Sequence, residues 1–121
     1  MKRINEIDYN EKPALYVMCM EKLRKIAAKC GYALAVHGSC SHDFDLIAVR
    51  WAENYESPRE LVTRMIKEIS HYAFAEGLER YFIEVTHPEL RYGNQMHYSI
   101  PIYSDAYVDL TVIINNKEDE I

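Results

Sequence analysis

The sequence predicts an α+β domain in which a mixed or largely antiparallel sheet of about four to five strands packs against two main helices. Three observations support this class: two segments with helical apolar spacing, two apolar segments joined by a Gly-Ser loop, and two alternating segments near the C terminus. With 121 residues, 49% of them apolar, the chain can form a substantial core. We therefore expect residues 1–121 to be a single domain, with a polar lead-in at 1–9 and an acidic tail at 115–121.

The first helix is expected to begin at Asn10, a favourable N-cap, with Pro13 in its first turn and Gly31 as its stop. Its apolar residues recur at helical spacing: Leu15, Cys19, Leu23, Ile26 and Cys30. A nearly continuous apolar strand is predicted from Tyr32 to His37 and a second strand from Asp43 to Trp51. The Gly38–His42 segment forms the loop between these strands.

The second helix has the clearest start signal in the chain. Ser57 is expected to be its N-cap, with Pro58 at the first helical position and Glu60 completing a capping box. The helix should end near Gly77, and its apolar face comprises Leu61, Val62, Met65, Ile66, Ile69 and Ala73.

The next segment has weaker signals. Tyr81 to Val85 is interpreted as a short strand, whereas His87-Pro88 and Tyr92-Gly93 indicate turns.

Two alternating segments, Asn94 to Ile102 and Tyr107 to Ile114, predict a hairpin that ends the domain. Their core-facing residues are Met96, Tyr98, Ile100 and Ile102 on the first strand, and Val108, Leu110, Val112 and Ile114 on the second. A connection of three or five residues around Tyr103–Asp105 keeps these apolar faces together. The same parity puts His97 and Ser99 on one side of the sheet with Asp109 and Thr111.

Composition excludes several classes of protein. The net charge of −5 and the lack of a basic stripe argue against a protein that coats nucleic acid. Cys19, Cys30 and Cys40 are odd in number and lack a C-x-x-C spacing, which indicates reduced thiols rather than a disulfide framework. No apolar run approaches about 18 residues and no signal-peptide pattern is present, so we expect a cytoplasmic protein with no membrane partner. Exposed sheet edges permit a homo-oligomer, but the pattern does not name an interface.

An acidic cluster is the main candidate site. Asp43 and Asp45 project to the same side of a strand with Cα atoms roughly 6.6 Å apart. Gly38 and Ser39, just upstream, offer backbone N–H groups and a hydroxyl to phosphate oxygens. Together with Asp109, these carboxylates suit two Mg²⁺ ions about 3.5–4 Å apart. The structural alternative is that Asp43 closes a turn, Asp45 pairs with an arginine and Asp109 faces solvent.

These residues resemble the nucleotidyltransferase superfamily related to DNA polymerase beta, and more narrowly its small stand-alone members from phages and prophages. The matching segments are Val36-His37-Gly38-Ser39, Asp43-Phe44-Asp45-Leu46-Ile47 and Val108-Asp109-Leu110. The resemblance implies a minimal nucleotidyltransferase-like fold and transfer of a nucleoside monophosphate from an NTP to an acceptor hydroxyl, with Mg²⁺ or Mn²⁺ as cofactor. In a phage-encoded protein this chemistry takes place in the bacterial host cell.

The resemblance also implies a role for each site residue. Asp43 and Asp45 would hold both metals, and Asp109 would hold the catalytic one and help to activate the hydroxyl. Gly38 and Ser39 would support the β- and γ-phosphates of the leaving pyrophosphate.

Other functions remain open. Only Cys40, Ser41 and His42 separate Ser39 from Asp43, where active members have a longer segment with a helical turn. A non-catalytic relative that binds a partner protein or a nucleotide, in the manner of an antitoxin, is therefore the first alternative.

A small metal-dependent phosphohydrolase or nuclease is a weaker alternative. It would use His37, His42 and His97 beside the carboxylates, or Glu84 as a fourth acid. Arg50 and Arg91 are candidates for contacts to the triphosphate or acceptor, as well as for surface ion pairs.

Overall fold

The computed structural model describes residues 12–38, 43–70, 82–103 and 106–114. Within these residues the chain forms three helices and one mixed sheet of five strands. The elements are α1 (Lys12–Lys29), β1 (Tyr32–Val36), β2 (Phe44–Arg50), α2 (Pro58–Ile69), α3 (Phe82–Thr86), β3 (Glu89–Arg91), β4 (Gln95–Tyr103) and β5 (Ala106–Ile113). The predicted α+β class, with two main helices, is confirmed. None of the helices in this part of the chain is long and apolar enough to cross a membrane.

The strand order is β1-β2-β5-β4-β3. β1 pairs antiparallel with β2, and β4 pairs antiparallel with both β3 and β5. β5, the last strand in the chain, lies between β2 and β4 and pairs in parallel with β2. This pairing brings together two segments that are more than fifty residues apart in the chain.

The core lies between the helices and one face of the sheet. Tyr16 of α1 stacks on Phe44 of β2 with ring centroids 5.0 Å apart, and Tyr98 of β4 meets Phe82 of α3 edge to face. The buried strand positions alternate with half-buried or exposed ones, as they do in a sheet whose two faces differ. We call the second face the open face; it comprises Ala33, Ala35, Asp45, Ile47, Val49, Gln95, His97, Ser99, Asp109, Thr111 and Ile113.

Two predicted helix ends are confirmed. The Ser57 hydroxyl accepts a hydrogen bond from the Glu60 N–H at 3.1 Å and caps α2. The predicted capping box is only half formed, because the Glu60 carboxylate accepts from Arg64 Nε at 2.9 Å rather than from the Ser57 N–H. Gly31, with φ at +88°, follows α1 in the left-handed conformation that favours glycine. The predicted N-cap Asn10 lies outside the described residues.

The expected C-terminal end of α2 is wrong. The helix ends at Ile69 rather than near Gly77, because Ser70 has an extended backbone with φ −89° and ψ 141°. The Ser70 N–H still bonds to the Ile66 carbonyl, which closes the last turn. The apolar periodicity of the sequence does not show that the helix ends here. Serine is a weak helix former because its hydroxyl competes for backbone hydrogen-bonding groups. Ala73 and Gly77 themselves lie outside the described residues.

The strand expected at Tyr81 to Val85 is also wrong, since Phe82–Thr86 is the short helix α3. Phe82 and Thr86, one turn apart, are both buried, and the Thr86 hydroxyl donates to the Phe82 carbonyl at 2.9 Å. Helical burial therefore overrides the β-branched composition. The additional strand is β3, whose residues are all exposed and so give no apolar signal.

The C-terminal hairpin is confirmed, including its faces. Ser99 lies opposite Asp109 and His97 opposite Thr111, while the predicted apolar positions are buried. The last pair of the hairpin is Tyr103 with Ala106, so the connection has two residues and the predicted length of three or five is wrong. A register shift between Pro101 and Tyr103 supplies the difference and keeps the apolar faces of the two strands together.

Candidate acidic site

Asp45 of β2 and Asp109 of β5 are directly opposite each other in the parallel pairing of these strands. Adjacent strands lie about 4.8 Å apart, so the two carboxyl groups begin from neighbouring backbone positions. The residues on either side of each aspartate, Phe44 and Leu46 on β2 among them, are buried. A slip of one residue would bury the aspartates and expose this core, which fixes both on the open face.

Asp43 lies just before β2 and is half-buried. The pKa of Asp45 is raised, first by burial and then by the negative charge of Asp43, while His37 and His97 lower it. Asp43 therefore acts electrostatically on Asp45. The site thus places the negative charge of Asp43 beside the Asp45 carboxyl group, which has lost part of its hydration.

Ser99 orients the third carboxylate. Its hydroxyl donates a hydrogen bond to Asp109 Oδ1 at 3.1 Å across the β4–β5 pair. The sequence predicts that these residues share a face, and their register makes them direct neighbours. One oxygen of Asp109 is thus held by the protein.

Gly38 packs closely against Asp45. Its φ is +119°, and a Cβ atom built on it would lie 2.7 Å from Asp45 Oδ2. The preceding His37 N–H donates to the Asp45 carbonyl at 2.7 Å, which continues the β1–β2 pairing up to this glycine. The conformation therefore favours glycine here, and a side chain at this position would displace the Asp45 carboxylate. Ser39, the other predicted phosphate contact, lies outside the described residues, as do Cys40, Ser41 and His42.

His97 is a half-buried member of the open face, opposite Glu89 of β3 and Thr111 of β5. Burial lowers its pKa, and the charge of Arg91 lowers it further, against the opposing effect of the nearby carboxylates. The imidazole is consequently biased toward its neutral form. His37, by contrast, is exposed at the end of β1.

The two candidate arginines differ in their distance from the carboxylates. Arg91 of β3 pairs with Glu89 at 3.0 Å and interacts electrostatically with both His97 and Asp109. Arg50 lies five residues beyond Asp45, about 16 Å along β2. Its guanidinium stacks over the Tyr55 ring at 4.0 Å. Arg91 is therefore near the carboxylates, and Arg50 belongs to the other end of the strand.

Sequence reasoning missed the contribution of β3. Glu89 and Arg91 flank the open face next to His97, but a fully exposed strand of three residues has no hydrophobic pattern to reveal it. The alternation of charges around Leu90 is the one signal that favours a strand here. Glu84, considered as a fourth acid, is exposed on α3 rather than on the sheet.

The donor chemistry of the cluster fits a hard divalent cation, since carboxylate oxygens are preferred ligands of Mg²⁺ and Mn²⁺. In their present rotamers, no three His, Cys, Asp or Glu side chains of the described residues converge closely enough to hold a metal ion. Asp109 is turned toward Ser99, as its hydrogen bond shows. Binding of a cation would therefore require rotation of carboxylates, but no change of strand register.

Comparison of the chain with protein families, with curated proteins and with solved structures gave no significant match. A function is therefore inferred from the register of the two strands and from the contacts of the carboxylates.

Proposed function

We propose that this protein binds Mg²⁺ or Mn²⁺ at Asp43, Asp45 and Asp109 and transfers a nucleoside monophosphate from an NTP to an acceptor hydroxyl. The observation that carries the proposal is the side-by-side placement of Asp45 and Asp109 on one face of the sheet. Asp43 adds its charge to the same place. This set, next to the Gly38 turn, matches what the resemblance to the nucleotidyltransferase superfamily implies.

Electrostatics favour a cation at this position. Repulsion from Asp43 and loss of hydration both disfavour the ionised form of Asp45. A bound divalent cation would offset this cost, and it would neutralise charge on the phosphoryl oxygens during transfer. The chain thus holds carboxylates whose ionised forms gain more from a cation than isolated surface aspartates do.

Asp109 is proposed to take the proton from the acceptor hydroxyl. The Ser99 hydroxyl holds its Oδ1 atom, which leaves Oδ2 as the oxygen for this role. Positioning of this kind reduces the reorganisation needed when the hydroxyl attacks. Ser99 is therefore a positioning residue in the proposal.

Gly38 and Arg91 are proposed to serve the phosphates. A side chain at Gly38 would fill the space beside Asp45, whereas the bare backbone leaves that side accessible to phosphate oxygens, with Ser39 as the neighbouring contact. Arg91 is paired with Glu89 in an exposed ion pair, and such pairs contribute little to stability because solvent screens them. Its guanidinium can therefore exchange Glu89 for a phosphate group at little cost.

Binding and transfer are tested separately because the acceptor is unknown. Thermal unfolding with Mn²⁺ and each NTP should show a rise in Tm, since a ligand at about 100-fold its Kd stabilises the native state by about 2.7 kcal/mol. The rise should persist in Glu53→Gln, which removes an exposed carboxylate from the loop after β2, and disappear in Asp45→Asn.

Transfer is then followed with NTPs labelled at the α-phosphate in a bacterial extract. Incorporation of label into a macromolecule, with release of pyrophosphate, supports the proposal when Asp109→Asn abolishes it. Binding of NTP without incorporation favours the non-catalytic alternative. The absence of a Tm response to every metal and NTP in the unmodified protein contradicts the proposal and favours a non-catalytic protein that binds a protein partner.

A further inference from the structure

Tyr107 of β5 is an aromatic residue on the same strand and the same side of the sheet as Asp109. The two residues are separated by Val108, which is fully buried in the core. Side chains alternate across a strand, so Tyr107 and Asp109 project together, away from the core, with Cα atoms about 6.8 Å apart. Tyr107 therefore lies at the end of the open face, next to Asp109.

The neighbouring strands also place Tyr107 beside the acidic cluster. In the parallel pairing of β2 with β5, Phe44 lies opposite Val108, and the residues that precede this pair are Asp43 and Tyr107. On the other side of β5, Tyr107 lies opposite Pro101 of β4. Tyr107 thus borders the acidic cluster both along its own strand and across to β2. Its side chain is 37% exposed, so part of the ring is accessible to a ligand.

The other exposed tyrosines lie farther from the carboxylates. Of the tyrosines whose side chains the structure describes, three are buried and three are exposed: Tyr16, Tyr32 and Tyr98 in the core, and Tyr55, Tyr92 and Tyr107 on the surface. Tyr55 stacks on Arg50, at the far end of β2. Tyr92 lies in the turn between β3 and β4, whereas β4 meets Tyr107 near its opposite end. Among these tyrosines, Tyr107 is therefore the exposed ring next to the acidic cluster.

An aromatic ring at this position suits a nucleobase. Bases stack on tyrosine rings, and this contact is tolerant of sequence because every base has a π face. In an NTP one sugar ring separates the base from the α-phosphate. A base on Tyr107 therefore leaves the phosphates at the carboxylates that lie beside it.

We infer that Tyr107 stacks on the base of the bound NTP and that the site accepts all four bases. This inference rests on the function proposed above, because it takes the phosphates to lie at a cation held by Asp43, Asp45 and Asp109. Tyr107 then supplies the affinity that distinguishes an NTP from inorganic tripolyphosphate. The contact uses the face of the ring and does not require the phenolic hydroxyl.

The inference is tested with two ligands, ATP and inorganic tripolyphosphate, each titrated calorimetrically with Mn²⁺ present. Tyr107→Ala should weaken ATP binding about 5- to 150-fold and leave tripolyphosphate binding unchanged. Tyr107→Phe keeps the ring and should retain the affinity for ATP. Trp51→Ala is the matched control, because it removes an aromatic side chain that is 68% exposed beyond the far end of β2. It should change the affinity for neither ligand.

A second pair of measurements tests the chemistry of the contact. Tyr107→Leu keeps an apolar side chain without a π face, so it should lose ATP affinity as the alanine variant does, with thermal unfolding to check that each variant is folded. The unmodified protein should bind GTP, CTP and UTP within about tenfold of ATP. A larger spread would overturn the inference in favour of a base selected by hydrogen bonds.

The results separate failure of this inference from failure of the proposed function. If both ligands bind with Mn²⁺ and Tyr107→Ala weakens neither, or weakens both equally, the metal site is retained and the stacking contact is overturned. The same holds if Tyr107→Leu binds ATP as tightly as the unmodified protein. If the unmodified protein binds neither ligand, the proposed function is wrong and the inference is overturned with it.

Discussion

Asp45 and Asp109 are direct cross-strand neighbours on the parallel strands β2 and β5, and both lie on the open face of the sheet. Like charges in this relation destabilise a sheet, whereas the flanking residues Phe44, Leu46, Val108 and Leu110 fix it by burial. The protein thus keeps an unfavourable pair at a well-determined position. Such a conflict with stability is typical of functional sites.

Replacement of Asp45 should separate stability from metal binding. Asp45→Asn removes the repulsion from Asp43 and the cost of burying a charge, so the metal-free protein should be stabilised by about 0.2–1 kcal/mol at neutral pH. The same change should abolish the rise in Tm with Mn²⁺. Urea unfolding with and without Mn²⁺ measures both effects, with Glu53→Gln as the control for loss of one negative charge. Loss of stability in Asp45→Asn without metal would show that the carboxylate has a favourable partner.

Gly38 should tolerate substitution less than Gly93. Gly38→Ala places a Cβ 2.7 Å from Asp45 Oδ2 at a φ of +119°, so it should cost about 1–3 kcal/mol and weaken Mn²⁺ binding. Gly93→Ala also has a positive φ, +74°, but meets no atom within 4 Å. It should cost only the backbone strain, about 1 kcal/mol, and leave metal binding unchanged. Equal effects of the two variants on Mn²⁺ affinity would contradict a role for the Gly38 approach.

His97 should make stability fall in mild acid. Its folded-state pKa is lowered, mainly by burial, so the unfolded chain binds the proton more readily. The contribution of His97 is therefore fully present above its ordinary pKa of about 6.5 and is lost as pH falls through the lower folded pKa. His97→Gln should flatten the decline of Tm between about pH 7 and pH 5. If Tm falls by the same amount between these pH values in His97→Gln, His97 is not the cause of the loss of stability in acid.

Tyr98 should be replaceable by phenylalanine. Its side chain is fully buried, and its hydroxyl has no hydrogen-bond partner among the described residues. Removal of an unsatisfied buried hydroxyl is neutral or stabilising by about 1 kcal/mol, while Tyr98→Ala should cost about 3–5 kcal/mol through the cavity it leaves. Urea unfolding at neutral pH gives both values. A loss of more than about 1 kcal/mol in Tyr98→Phe would indicate a hydrogen bond to the hydroxyl.

Local signals in the sequence predict the elements that depend on local physics. Ser57 and Pro58 place the start of α2, Gly31 places the end of α1, and alternation places both strands of the final hairpin with the correct faces. The proximity of Ser99 to Asp109 follows from that alternation. These features need only the residues within a few positions of each element.

Non-local and exposed features could not be predicted in the same way. The parallel pairing of β2 with β5 depends on how the chain returns through the sheet, which no local pattern encodes. It is this pairing that places Asp109 beside Asp45. The alternation of the sequence alone predicts only that Asp109 lies on a polar face of the sheet. β3 has no buried residue, and α3 has a strand-like composition that tertiary packing overrides.

The central claim is that Asp43, Asp45 and Asp109 together bind a divalent cation. The most direct test is a crystal of the unmodified protein grown with Mn²⁺, with diffraction data collected at the manganese absorption edge. We expect an anomalous peak between these carboxylates, with Asp109 Oδ2 directed at the metal and Oδ1 still held by Ser99. A well-ordered open face with no peak at these residues, at a Mn²⁺ concentration that saturates known magnesium enzymes, would contradict the claim.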